Sequence, residues 1–92
     1  MSLPPEQAET LLAFPCDFPV KIMGERCDDF AQCMLEIVLR HAPDFVSEHM
    51  AMRVSSGGRY LAVTCTIRAT SKRQLDALYQ ELSTHPLVKV AL

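Results

Sequence analysis

The clearest pattern in this sequence is an alternation of apolar and polar residues that follows a glycine-containing turn. Across residues 60–69 the odd-numbered positions are apolar and the even-numbered positions are mostly polar or small. A period of two is typical of a strand with one buried face. Ser55, Ser56, Gly57 and Gly58 precede this run, and glycines supply the positive backbone angles that a hairpin loop needs. A second strand is therefore expected before the turn.

Similar patterns predict the other elements of the chain. Alternation predicts a first strand at residues 17–24, a second at residues 48–54 and a short fourth at residues 88–92. Apolar residues at three- and four-residue spacing predict amphipathic helices at residues 30–41 and at about 72–83. Ser71 and Gln74 have the spacing of a capping box at the start of the second helix.

The predicted order is strand, helix, strand, strand, helix, strand. Two right-handed split βαβ units place both helices on one face of a four-stranded antiparallel sheet, in strand order 4-1-3-2. The expected fold class is α+β, a ferredoxin-like two-layer sandwich. We expect one such domain at residues 16–92, preceded by a flexible N-terminal segment at residues 1–15 that contains Pro4 and Pro5.

Several blocks of the sequence resemble a known family. LLAFPCDFPVKIMGE, RHAPDF, SSGGRYLAVTCTIRAT and LYQELSTHPLVKVAL occur in this order, and together they resemble the YbeD-like family of small bacterial proteins. The resemblance implies a ferredoxin-like, ACT-like fold that is related in shape to amino-acid-sensing regulatory domains. It also implies a link to the regulation of lipoate metabolism, and it carries no catalytic residues.

Composition narrows the classes of function. The 92 residues suffice for one domain with a modest core, and the formal net charge of -2 gives no overall attraction to nucleic acid or to an anionic membrane. The four cysteines contain no C-x-x-C pair, and no signal-peptide pattern precedes them. We therefore expect reduced thiols in a cytoplasmic protein. No apolar run approaches the roughly 20 residues of a membrane span.

We next consider the sheet face that the helices are not expected to cover, here named the open face. It is predicted to collect four of the nine basic residues and no acidic residue, and so to attract an anionic metabolite or an acidic protein surface. The competing interpretation is a solvated face whose cations oppose aggregation. The candidate binding residues there are Lys21, Arg53, Thr64 and Arg68. Alternation assigns to this face Lys21, Met23, His49, Arg53, Tyr60, Thr64, Thr66, Arg68, Lys89 and Ala91.

Gly24 is a fifth candidate binding residue, because it lies between the first strand and the first helix. ACT-type domains bind small molecules at this place, where the helix N-terminus receives an anion. The nearby acidic residues Asp28 and Asp29 would repel an anion. The competing interpretation is that Gly24 serves only as a turn.

Other kinds of site have weaker support in the sequence. Tyr60 is the only aromatic residue assigned to the open face, and the signature of RNA-recognition domains is missing, so nucleic-acid binding is not expected. The three histidines lie on different predicted elements without zinc-site spacing. Cys27 is the only cysteine close to a helix start, where a thiol is activated, and all four are interpreted as structural. We expect no metal, no cofactor and no catalytic residue.

The sequence therefore predicts a non-enzymatic regulatory or adaptor domain that makes protein contacts through its open face or a strand edge. Two unpaired sheet edges are also compatible with a homodimer. The alternative is an ACT-like domain that senses a small molecule and is linked to lipoate metabolism. An enzyme is the third hypothesis.

Overall fold

The computed structural model describes residues 13–92, which form four strands and two α-helices. Their order agrees with the predicted one, and each predicted element is present. Residues 1–12, which make up most of the segment predicted to be flexible, lie outside the described residues. The elements are β1 (Cys16–Glu25), α1 (Phe30–His41), β2 (Met50–Val54), β3 (Tyr60–Ala69), α2 (Lys72–Thr84) and β4 (Val88–Ala91).

The strands form one antiparallel sheet in the order β2-β3-β1-β4. β1 and β3 pair along their whole length, from Cys16 opposite Ala69 to Glu25 opposite Tyr60. β2 pairs with β3 without interruption, and Gly58 in the connecting turn has a positive φ of 74°. Both helices contribute to one core on one side of this sheet. The α+β ferredoxin-like sandwich expected from the sequence is confirmed.

The core lies between the helices and one face of the sheet. Alternate residues of β1 and β3 point into it, as the period-two pattern predicts. The helices contribute side chains at three- and four-residue spacing. The largest fully buried core side chains are Val20, Ile22, Phe30, Met34, Ile37, Val38, Val63, Cys65, Ile67, Leu78 and Leu82.

Gln74 connects the start of α2 to the end of α1. Its backbone N–H donates to Ser71 Oγ at 3.1 Å, as the predicted capping box requires. Its side-chain oxygen accepts from the N–H of Thr70 at 2.7 Å rather than from that of Ser71. Its side-chain Nε2 donates to the carbonyl of His41 at 2.8 Å. The cap therefore also fixes the position of one helix relative to the other.

Glu81 forms a second connection between the helices. Its Oε1 lies 2.8 Å from His41 Nε2, and its other oxygen pairs with the guanidinium of Arg40. All three side chains remain partly exposed, so each pair contributes little free energy. The contacts of Arg40 and His41 with Glu81 identify the flank of α1 that faces α2.

β4 departs from the predicted alternation. Ala91 is opposite Ile22 and Val90 is opposite Met23, but Val88 is opposite Gly24, so Lys89 is an extra residue in a β-bulge. Directly opposed residues point to the same side of a sheet. The bulge therefore places Val90 on the open face and Ala91 on the helix side. Lys89 lies in a depression with α2 residues. The assignment of Lys89 and Ala91 to the open face was wrong.

The start of β2 also differs from the prediction. Residues Ser47–His49 form a short 3-10 helix, and the strand begins at Met50. The ring of His49 meets the ring of Phe45 edge to face, with 6.4 Å between their centroids. His49 therefore lies beside the sheet edge on a turn and is not a member of the strand.

Candidate functional site

The open face is built from cross-strand rows that the sheet register defines. Ala62 stands opposite both Arg53 and Met23, and Thr64 stands opposite both Ala51 and Lys21. On the other side of β1, Val90 stands opposite Met23 and Leu92 stands opposite Lys21. One row therefore reads Arg53, Ala62, Met23 and Val90, and the next reads Ala51, Thr64, Lys21 and Leu92.

The open face carries apolar side chains in contact with solvent on β1 and along the edge formed by β4. Met23 is 43% exposed, Val90 is 45% exposed and Leu92 is 72% exposed. Both helices lie on the other side of the sheet, so nothing within residues 13–92 covers these three side chains. We name Met23, Val90 and Leu92 the apolar patch.

Two cations flank the apolar patch. Lys21 and Arg53 are exposed, and neither forms an ion pair within residues 13–92. Lys21 stands next to Leu92 in one row, and Arg53 lies two strands away from Met23 in the other. An unpaired cation beside exposed apolar surface is suited to contacting a carboxylate on a partner.

Arg68 differs from the other two cations because a carboxylate faces it. Its Nη1 lies 3.4 Å from Asp17 Oδ1 on the neighbouring strand, and both side chains are exposed. Glu25 also lies on the open face, opposite Tyr60. The expectation that this face carries no acidic residue was therefore wrong, since β1 places both carboxylates there.

A shallow depression of about 430 Å³ adjoins the apolar patch beside the β2–β3 turn. Met23 and Ala62 are among its apolar lining residues, Arg53 contributes a cation, and Tyr60 contributes an aromatic ring. Ser55 fixes the turn here, because its N–H donates to the Tyr60 carbonyl at 2.9 Å and its Oγ accepts from the Tyr60 N–H at 3.1 Å. The depression therefore combines an apolar surface with one positive charge.

A second depression of about 620 Å³ lies at the opposite end of β3. It includes the Arg68–Asp17 pair and the edge-to-face rings of Phe45 and His49, together with Asp44 and Thr66. Its two carboxylates offset its arginine. This depression is therefore less suited to bind an anion than the one that contains Arg53, which has no carboxylate in its lining.

Four of the five predicted binding residues lie on the open face. Lys21 and Thr64 are direct neighbours, Arg53 is in the adjacent row, and Arg68 is two rows from Thr64 along β3. Gly24 is separate, since it is buried on the helix side of the sheet. The sequence pattern did not identify Val90 and Leu92 as members of the face.

Packing explains why a glycine occupies position 24. A methyl group there would lie 2.2 Å from the carbonyl oxygen of Leu87 and 2.4 Å from Cε1 of Phe30. The chain's own atoms therefore fill the space through which a ligand would reach this backbone on the helix side. Gly24 allows the close approach of α1 and the residue before β4.

Comparison with known proteins identifies the family. Residues 9–92 match the family described as "Protein of unknown function (DUF493)". The chain belongs to this family. It is also the YbeD-like or UPF0250 family, so the resemblance seen in the sequence is confirmed.

Curated relatives of the DUF493 family match nearly the whole chain. The UPF0250 proteins of Ralstonia nicotianae and Nitrosomonas europaea are each 51% identical over 84 residues, which is 91% of this chain and 87% and 97% of theirs. The UPF0250 protein of Chromobacterium violaceum is 48% identical over 87 residues, which is 95% of this chain and 98% of its own. None of these names states an activity.

The cysteines of this DUF493 chain are free thiols in different surroundings. Cys65 is fully buried in the core, and burial raises the pKa of its thiol to about 11. A thiol with a raised pKa is a poor nucleophile at neutral pH, so Cys65 serves as a small apolar group. Cys27 is exposed, whereas Cys16 and Cys33 are partly buried.

The described part of the chain contains no group of three or more histidine, cysteine, aspartate or glutamate side chains arranged to hold a metal ion. No helix within residues 13–92 has the length and apolar character needed to span a membrane.

Proposed function

We propose that this chain is a non-enzymatic regulatory or adaptor domain that binds a partner protein on its open face. The observation that carries the proposal is the apolar patch of Met23, Val90 and Leu92, exposed on the β1–β4 side of the open face and flanked by the unpaired cations Lys21 and Arg53. Its partner would present apolar side chains surrounded by carboxylates.

The arrangement agrees with the general anatomy of protein interfaces. Their centres are apolar and depleted in charge, while polar and charged residues form the rim. Methionine and arginine are enriched in such surfaces, and the flexible thioether adapts to different partners. Lys21 and Arg53 would increase the association rate with an acidic surface and set its orientation.

A capture experiment with charge-reversal variants tests this proposal. The wild-type chain, a Lys21→Glu/Arg53→Glu variant and an Arg26→Glu/Arg73→Glu control are immobilised and exposed to lysate of the source bacterium. The two variants change the net charge equally, and all four side chains are exposed. A protein held by wild type and control but lost from the open-face variant is the expected result. Equal retention by all three chains would refute the role of the open face.

A second candidate function is the sensing of a small anionic metabolite. The depression that contains Met23, Arg53 and Tyr60 favours it, because its apolar surface and single cation suit a carboxylate with an apolar portion. The resemblance to amino-acid-sensing domains and the implied link to lipoate metabolism make amino acids and lipoate the first compounds to titrate. Backbone NMR shifts around Arg53 and Tyr60 that saturate with one compound would support this function. Saturable shifts at Gly24 instead would locate the ligand at the start of α1.

We further propose that the domain works in the cytoplasm. The proposal is supported by four cysteines in the thiol form, two of them partly buried and one fully buried, since a reducing compartment preserves thiols. Fractionation of the source bacterium followed by immunoblotting tests the location. Recovery with periplasmic or membrane fractions would contradict it.

A further inference from the structure

β2 is an edge strand with backbone groups available for pairing. Ser55 and Tyr60 are hydrogen-bonded to each other at the end of the β2–β3 ladder. Hydrogen-bonded pairs alternate along an antiparallel ladder, so Arg53 and Ala51 direct their N–H and C=O groups toward β3. Met52 and Val54 direct theirs away from the sheet, where no residue in the range 13–92 bonds them.

The side chains of this edge are apolar and exposed. Met52 is opposite the fully buried Val63, which places it on the helix side of the sheet, yet it is 59% exposed. Val54 is 45% exposed on the same side. These exposures show that α1 does not extend over the edge strand.

α1 carries further apolar side chains that are not fully buried. Arg40 and His41 mark the flank of α1 that faces α2, since both contact Glu81. At roughly 100° per residue, Leu35 and Leu39 lie on the side of α1 that is turned away from α2. Leu39 is exposed and Leu35 is partly buried. We name Leu35, Leu39, Met52 and Val54 the edge surface.

We propose that a second copy of this chain covers the edge surface by pairing its β2 antiparallel with this β2, about a two-fold axis at Met52. Met52 then faces Met52 of the second copy, and Met50 faces Val54 of the second copy. On the other side of the joined sheet, Arg53 faces Ala51 of the second copy. The two sheets become one of eight strands, with the two α1 helices side by side.

Charge and side-chain type favour a second copy as the occupant. In this register no charged residue directly faces a like charge, and every residue of β2 on the helix side faces another apolar residue. Directly opposed apolar pairs stabilise strand pairing and directly opposed like charges oppose it. An isologous contact of this kind closes after two copies.

The other edge of the sheet is less suited to such pairing. β4 has four residues and a bulge at Lys89, and bulges and lysines are features that block edge-to-edge association. β2 has neither a bulge nor a proline. The proposed dimer leaves Met23, Val90 and Leu92 exposed, so a partner can bind the apolar patch of each copy in the dimer, and Arg53 borders both surfaces.

Sedimentation equilibrium of the purified chain tests the proposal. Met52→Lys changes an exposed side chain, and circular dichroism is used to check that the variant folds. Met23→Lys on the open face is the matched control, since it replaces a methionine of similar exposure. We expect wild type and the control to form dimers, and we expect Met52→Lys to dimerise with about 100-fold lower affinity, a loss of about 2.8 kcal/mol. A wild-type monomer at all concentrations, or a dimer broken only by Met23→Lys, would overturn the proposal.

Disulfide formation tests the register. Hydrogen-bonded opposed residues have Cα atoms about 5.5 Å apart, a distance that a disulfide spans. In a Cys27→Ser background, Met52→Cys is expected to form an intermolecular disulfide under mild oxidation, identified by peptide mass spectrometry. Ala51→Cys is the control, because Ala51 faces Arg53 of the second copy. Equal cross-linking by both variants would contradict pairing centred on Met52.

Discussion

Lys21 and Leu92 exchange both backbone hydrogen bonds. The Lys21 N–H donates to the Leu92 carbonyl at 3.0 Å, and the Leu92 N–H donates to the Lys21 carbonyl at 2.7 Å. This pairing continues the β1–β4 ladder beyond the bulge at Lys89 and directs the Leu92 side chain onto the open face. The charged and the apolar parts of the candidate binding surface therefore meet at this pair.

Tyr79 connects Leu92 to α2 from the helix side. Its hydroxyl donates to the Leu92 carbonyl at 2.6 Å. Removing the hydroxyl in Tyr79→Phe should lower the free energy of unfolding by about 0.5–1 kcal/mol. Urea denaturation measures the change. Tyr60→Phe is the control, since the Tyr60 hydroxyl has no hydrogen bond within residues 13–92; an equal loss in both variants would contradict a specific role for the Tyr79 bond.

Gly24→Ala should destabilise the fold by about 1–3 kcal/mol, the usual cost of overpacking. The added methyl group would collide with the backbone oxygen of Leu87 and the ring of Phe30, and a backbone atom cannot move aside as a side chain can. Gly57→Ala is a matched control, because no atom lies within 4 Å of a methyl group there. Urea denaturation compares the two variants, and similar stabilities would show that close packing does not require Gly24.

Cys65 makes the stability of the fold depend on pH in the alkaline range. Burial raises the pKa of its thiol from 9.0 to about 11, so the unfolded chain loses this proton at a lower pH than the folded chain. The contribution of Cys65 is constant below pH 9 and the free energy of unfolding should fall as the pH rises from about 9 to about 11.

Urea denaturation at a series of pH values measures this dependence. Cys65→Ala should show a smaller decrease between pH 9 and 11, although other groups such as Tyr79, whose pKa burial also raises, contribute in both proteins. Parallel curves for wild type and Cys65→Ala would contradict the burial of the thiol.

The sequence predicted most of the fold because its determining patterns are local. The helix predicted at residues 30–41 matches Phe30–His41, and the strand predicted at residues 60–69 matches Tyr60–Ala69. In both segments, the apolar period alone selects the buried face. The Ser71 cap is likewise set by a short sequence motif and was found where expected.

The composition of the open face was less predictable because it depends on long-range register. A single extra residue at Lys89 reverses which side chains of β4 point away from the helices. Alternation alone therefore assigned Lys89 and Ala91 to that face and omitted Val90 and Leu92. Contacts distant in sequence decide such bulges, and the role of Gly24 likewise depends on Leu87, far along the chain.

The most direct test of the central claim is methyl NMR of this chain bound to the partner that the capture experiment isolates. The methyl groups of Met23, Val90 and Leu92 should shift or broaden when the partner is added, because they form the centre of the proposed interface. Those of Leu39 and Met52, exposed on the helix side of the sheet, serve as references and should remain unchanged. Shifts confined to Leu39 and Met52, with an unperturbed apolar patch, would show that the open face is not the binding surface.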